Sequence, residues 1–146
     1  MYFVDQKQIK EKLHHMDQVL TLIPQIDKSS MIERFSLERM VHTLIESVID
    51  VGHLMIDGFI MRDAGSYKDI ITILVDEKVL PTADEAKYHA LIDLRAMLVN
   101  DYTATDYEKI TETLDSCIEE VKQFSQHINQ YLAHELDVAN AFTNND

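Results

Sequence analysis

Residues that break regular structure are scarce in this 146-residue chain, which holds 3 glycines and 2 prolines. Sandwiches and barrels need a turn every ten residues or so, so that scarcity argues against both. A hydrophobic fraction of 46% argues equally against a disordered chain. Cysteine occurs once, at Cys117, which excludes an intrachain disulfide and suits a reducing cytoplasm. No apolar run approaches the roughly 20 residues needed to span a bilayer. The N-terminal MYFVDQKQIKEKL has neither the basic start nor the continuous apolar stretch of a signal peptide. A cytoplasmic chain without membrane contact is therefore expected. Positive charge is scarce as well: 13 Lys and Arg stand against 26 Asp and Glu, a net charge of −13. Such a surface repels nucleic acid over most of its area. DNA is not an expected partner, and any RNA contact needs a local basic cleft.

What is present is helical periodicity. Asp5 can cap a first helix, with Gln8 three residues on and Ile9, Leu13, Met16, Leu20 and Ile23 along one face. Pro24 and the DKSS stretch end it. Ser30 and Glu33 form a capping-box pattern that opens helix two. There Leu37, Met40, Val41, Leu44, Val48, Val51 and Met55 share one side, and Ile45, Ile49 and Ile56 widen it. A face that broad packs against several neighbours and predicts the centre of a bundle. Glu46, Asp50, His53 and Asp57 fall on its far side. Gly58 and the RDAGS stretch break the pattern. Ser66 then caps a short third helix with Ile70, Ile71, Leu74 and Val75 inward. Thr82–Glu85 reads as a capping box for helix four, which turns Tyr88, Leu91, Ile92, Arg95, Leu98 and Val99 inward and frays at Asn100. Thr105–Glu108 reads as a capping box for helix five, one continuous stripe from Tyr107 to Tyr131. Strand alternation, Asn-Gly hairpins and internal repeats are absent. The expected fold is all-α: an antiparallel up-down helical bundle of four main helices plus one short helix. It should form one domain over residues 1–134, with a loose polar tail over 135–146.

The stretch with the most chemistry is Leu94–Tyr107. Arg95 sits among apolar neighbours where helix four runs out, ahead of Asn100, Asp101 and Tyr102. A guanidinium on an inward face needs a carboxylate, a phosphate or open water. Two readings stay open: an ion pair with Glu46 or Asp50 from helix two, or a cation that holds a phosphate. Seven residues separate Arg95 from Tyr102, close to two helical turns, so a continued helix would put both on one face. Other constellations read as structure. Asp50-Val-Gly-His53 holds one carboxylate–histidine element where a di-iron bundle needs two, and reads as a solvated face. His14, His15, His42, His89, His127 and His134 are scattered and read as surface groups. The seven methionines sit mainly at core spacing, and Cys117 reads as a small buried residue. There is no phosphate-cradling Gly-rich loop, no zinc pattern and no nucleophile elbow, so no metal or cofactor is expected. The broad apolar faces of helices two and five suggest self-association.

Arg95-Ala-Met-Leu-Val-Asn100-Asp101-Tyr102 resembles the signature of HepT-like proteins, also called the DUF86 group, toxin-side members of the HEPN ribonuclease superfamily. That signature is an arginine, four to six residues, a histidine, one residue and a tyrosine. The helix-two run Glu38-Arg39 to Gly52 is similar to the family's second helix, as are Ser66-Tyr67-Lys68-Asp69-Ile70 and the turn Val79–Pro81. The resemblance covers most of residues 1–132. It implies a homodimeric helical bundle with both motif copies in one cleft, and metal-independent RNA cleavage. Arg95 would steady the scissile phosphate. It implies a nucleotidyltransferase antitoxin as partner, with Tyr102 the acceptor of adenylylation. The chain departs from the pattern at Asn100, where the family has histidine. An imidazole both takes and gives a proton near neutral pH, and an amide does neither. Losing such a group typically costs about 10²–10⁴ in rate. Asp101 is a poor replacement, because a carboxyl with a reference pKa of about 3.9 beside an arginine is already ionised near neutral pH and has no proton to give. The expectation is a toxin-lineage ribonuclease fold with weakened or lost cleavage. The alternative is a non-catalytic dimeric module that binds a partner or RNA.

Overall fold

The protein is described here by a computed structural model covering residues 3–144, with side chains described through residue 138. Among the described residues there are six α-helices and no strand: α1 (Gln6–Leu22), α2 (Met31–Gly58), α3 (Tyr67–Asp76), α4 (Glu85–Asn100), α5 (Tyr107–Val121) and α6 (Phe124–Asn144). The fold is the expected all-α antiparallel bundle. None of these helices is long and apolar enough to cross a membrane.

Short polar side chains start the helices by satisfying amides that have no partner inside the helix. The Asp5 carboxylate accepts from the Gln8 amide at 3.0 Å, and Ser30 and Ser66 do the same for Glu33 and Asp69. Two expected caps are corrected. Thr82–Asp84 forms a 3-10 turn and α4 begins at Glu85 without a side-chain cap. The Glu85 carboxylate accepts from Thr72 on α3, so it does not serve the backbone. At α5 the cap is Asp106, accepting from the Lys109 amide, because the Thr105 hydroxyl donates to Glu38.

At 28 residues and roughly 42 Å, α2 is the axis of the bundle, packed against α1, α3 and α4. Its Val41, Leu44, Ile45, Val48, Val51 and Met55 are fully buried, and the core around them draws on every helix. Two close approaches explain two of the three glycines. A methyl at Gly52 would lie 2.3 Å from Ile70 Cγ2, which fixes how near α3 comes. A methyl at Gly58 would lie 2.9 Å from Val4 Cγ2. The left-handed residue after α2 is Ile60 (φ 56°), where the Met61 amide closes back on the Ile56 carbonyl at 2.9 Å.

The expected fifth helix is two helices, broken at Lys122–Gln123. The cause is Tyr88, a buried phenol whose hydroxyl needs a partner. It donates to the Glu120 carbonyl at 3.2 Å, and that carbonyl also accepts from Gln123, three residues on. The ladder tightens there and the chain turns. Beyond the turn Phe124, Ile128 and Leu132 are buried, and Tyr131 meets Phe59 edge-to-face at 5.1 Å. The segment expected to be a loose tail from 135 continues α6 through Asn144, and Asn145 and Asp146 lie outside the described residues. Val99, expected inward, is 39% exposed, and Leu94 is buried on α4.

Candidate functional site

Arg95 projects from the last third of α4 toward α2 and is partly buried. Its Nε donates to Glu46 Oε1 at 2.6 Å, and its guanidinium carbon lies 4.7 Å from the centre of the Tyr67 ring. The charged hydrogen bond to Glu46 holds the guanidinium protonated more firmly than usual. Of the two pairings left open, the structure takes Glu46. Asp50 is engaged by Lys12 on α1 at 3.2 Å. Glu46 is therefore not on a wet far side of α2; it faces α4. His53 and Asp57 remain exposed. The pair uses only one nitrogen of the arginine, and among the described residues its two terminal amino groups have no protein acceptor. A guanidinium oriented on one edge and stacked on an aromatic face keeps its outer edge for an anion.

Tyr102 lies beyond the end of α4 and is 69% exposed. It shares no hydrogen bond or ring contact with Arg95. The helix that would have aligned them ends at Asn100. Tyr102 instead stands between two shallow grooves against the first half of α2. One, of about 310 Å³, is lined by Phe35, Glu38, Arg39, His42, Leu98 and Tyr102. The other, of about 510 Å³, includes Met31, Arg34, Phe35 and Tyr107. Its floor is stapled down by Glu38, which accepts from the Tyr107 hydroxyl at 2.6 Å and from Thr105 at 2.5 Å. Partial burial and the bond to Glu38 push the Tyr107 phenol up to about 12. Asn100 and Asp101 are exposed at the helix end. The Asp101 amide closes on the Met97 carbonyl and its own carbonyl accepts from Ala104.

Residues read past in the sequence complete the site. Phe35, Arg39, His42 and Glu46 recur at steps of four and three, one stripe of α2. His42 is half-buried, and its Nε2 lies 3.6 Å from the same Glu46 oxygen that takes Arg95. His42 thus links the two halves of the site: it lines the Tyr102 groove and faces the carboxylate that orients Arg95. Of the chain's four arginines, Arg34 and Arg39 line the two grooves and Arg95 reaches Glu46 farther along α2, within a molecule of net charge −13. The signal was available, since a polar and aromatic stripe on an otherwise apolar helix is unusual. A histidine taken singly does not carry it; the stripe does. Among the described residues no group of three His, Cys, Asp or Glu side chains is placed to hold a metal ion.

The family model described as Ribonuclease HepT-like matches residues 9–128. A candidate RNase of Bacillus subtilis strain 168, YutE, is 40% identical over 143 residues, covering 97% of this chain and 99% of that protein. The solved structure of YutE, described as a cytosolic protein, superposes with a TM-score of 0.90 over 93% of this chain and 96% of its own. A tri-AMPylated HEPN toxin of Shewanella oneidensis in complex with its MNT antitoxin gives a TM-score of 0.74 at 17% identity, covering 84% of this chain and 96% of that one. A toxin–antitoxin structure with AMP-PNP gives 0.65 at 18%, covering 82% and 96%. At those identities the last two show the fold alone. Matched by the family model over most of its length, and by a relative at 40% identity across nearly all of it, the chain belongs to the ribonuclease HepT-like family and has the helical fold of HEPN toxins.

Proposed function

We propose that this chain is a cytoplasmic, toxin-lineage RNA-directed protein in which Arg95 holds an RNA phosphate and cleavage is weakened by Asn100. The observation that carries it is the open outer edge of Arg95, braced by Glu46 and Tyr67. Arg34 and Arg39 beside Tyr102 supply the local basic cleft that so acidic a molecule needs for RNA. Asn100 cannot move a proton, so the α4 motif by itself positions phosphate without acid–base help.

The working unit is a homodimer. Met31, Ile32 and Phe35 are 67%, 79% and 58% exposed on the first turns of α2, an apolar patch beside the exposed Tyr102. Burying that patch against a second copy would bring two sets of grooves together. The partner in regulation is a nucleotidyltransferase antitoxin, and Tyr102 presents the accessible phenol that adenylylation requires.

The test is cleavage of single-stranded RNA by the purified chain in a metal chelator, beside Arg95→Ala and Asn100→His. Slow cutting is expected from the native chain, none from Arg95→Ala, and a gain of about 10²–10⁴ from Asn100→His. RNA binding and cutting that survive in Arg95→Ala would end the phosphate reading. If only Asn100→His cuts, the native chain is the non-catalytic binding module instead, a reading favoured by the missing imidazole alone.

A further inference from the structure

Asn100 leaves the α4 motif without a proton carrier, but an imidazole stands beside Arg95 on another helix. We infer that His42 of α2 is the proton-transfer group of this site, with Glu46 as the residue that orients it. The inference rests on the reading of Arg95 as the phosphate-binding residue and deepens it.

Three observations meet at His42. Its Nε2 lies 3.6 Å from Glu46 Oε1, long for a hydrogen bond but well within electrostatic reach. The same oxygen accepts from Arg95 Nε at 2.6 Å, so one carboxylate fixes the cation and lies beside the imidazole. His42 also lines the groove that holds Tyr102, and through the shared Glu46 oxygen it stands beside Arg95. A carboxylate on one nitrogen of an imidazole leaves the other nitrogen to exchange protons and stabilises the imidazolium that forms. The charged and titratable groups facing this site are Glu46, Glu38 and Arg39 from α2, Tyr67 from α3, Arg95 from α4 and Tyr102 from the turn after it.

The step needs no metal and no co-reactant beyond water. The ribose 2′-oxygen adjacent to the bound phosphate attacks phosphorus, and its proton passes to His42 Nδ1. The bond from phosphorus to the 5′-oxygen breaks, and that oxygen takes a proton from water. The products are a 2′,3′-cyclic phosphate and a 5′-hydroxyl. The imidazolium returns its proton to the hydroxide left behind. Negative charge that develops on the phosphoryl oxygens faces the outer edge of Arg95. A DNA strand, without the 2′-hydroxyl, is not a substrate.

The experiment compares the native chain with His42→Ala, His42→Gln, Arg95→Ala and the exposed control His53→Gln. Cleavage and RNA affinity are both measured, with and without added imidazole. His42→Ala and His42→Gln should lose at least about 10²-fold in cleavage while binding RNA like the native chain. Imidazole should return part of the rate to His42→Ala and none to His42→Gln, where the pocket is filled. His53→Gln should match the native chain. Native-like cleavage by His42→Ala, a loss that imidazole does not relieve, or a native chain that binds RNA without cutting it each overturns the role of His42 and leaves Arg95 standing. Arg95→Ala that binds and cuts like the native chain overturns the phosphate reading, and His42 with it.

Discussion

Two arginines of this chain meet carboxylates within a short distance of α3, and they do so in opposite ways. Arg62 closes its fork on Asp69: Nη1 and Nη2 each reach one carboxylate oxygen at 2.8 Å. Asp69 accepts a third bond from the Gly65 amide, and the ensemble ties the loop after α2 to the start of α3. Arg95 offers Glu46 its Nε alone and keeps the fork open. A guanidinium with its bidentate edge spent is a fastener, whereas one held from behind is available for a phosphate. Counting ion pairs would have treated them alike. The geometry of the fork separates them.

The sharpest way to break the comparison is Arg95→Lys. The charge stays, but the planar fork and the stacking on Tyr67 go, and RNA cleavage should fall by about 10²-fold. Urea unfolding should barely move, because partly exposed pairs contribute at most about 1 kcal/mol. If Arg95→Lys cuts RNA at the native rate, the fork is irrelevant. Next comes Gly52→Ala, which acts on both arginines through α3. The added methyl meets the stiff Ile70 side chain, and α3 carries both Tyr67 and Asp69. Overpacking of this kind costs about 1–3 kcal/mol, offset in part by a helix-propensity gain of about 1 kcal/mol. Urea unfolding should show a net loss, with a fall in cleavage alongside. A variant as stable as the native chain would mean that α3 is not seated as described.

Arg62→Ala has a smaller effect and one confined to stability. The Arg62 fork, then the Gly65 amide, hold the Asp69 carboxyl well below the usual carboxylate range. A folded pKa depressed below the unfolded value of about 3.9 gives stability that is present above that value and fades as pH falls through the folded one. The melting temperature of Arg62→Ala should therefore lie below that of the native chain near neutral pH, and the gap should narrow as the solution is acidified below about pH 4. RNA cleavage should be unaffected. A gap that widens in acid would reverse the sign. The smallest effect belongs to Tyr67→Leu. Losing a partly exposed cation–π contact of about 0.5–1 kcal/mol should weaken RNA affinity by a few-fold, read from a binding titration.

Much of the fold was legible because core periodicity and start signals are local. The stripes of α1, α2 and α3 and three of the caps follow from residues within one or two turns of each other. The misreadings share a different origin. Nothing between Tyr107 and Tyr131 announces a break, since the cause is a hydroxyl from α4, and a capping box at Thr82 is undone by a threonine on α3. At the site, Arg95 and its need for a partner could be read from one helix. The selection of Glu46 over Asp50 depends on where Lys12 of α1 reaches. His42 gains its meaning only when α2 and α4 are side by side.

Cys117 is fully enclosed on α5, and burial pushes its thiol up to about 11. Thiol-directed reagents need an accessible thiolate, so the native sulfur should stay silent in a labelling reaction on the folded protein. The chain is thus a ready-made host for one introduced reporter, with no native residue to remove first. A spin label or dye at Asp101→Cys, exposed beside Tyr102 at the end of α4, would report the separation between two copies directly.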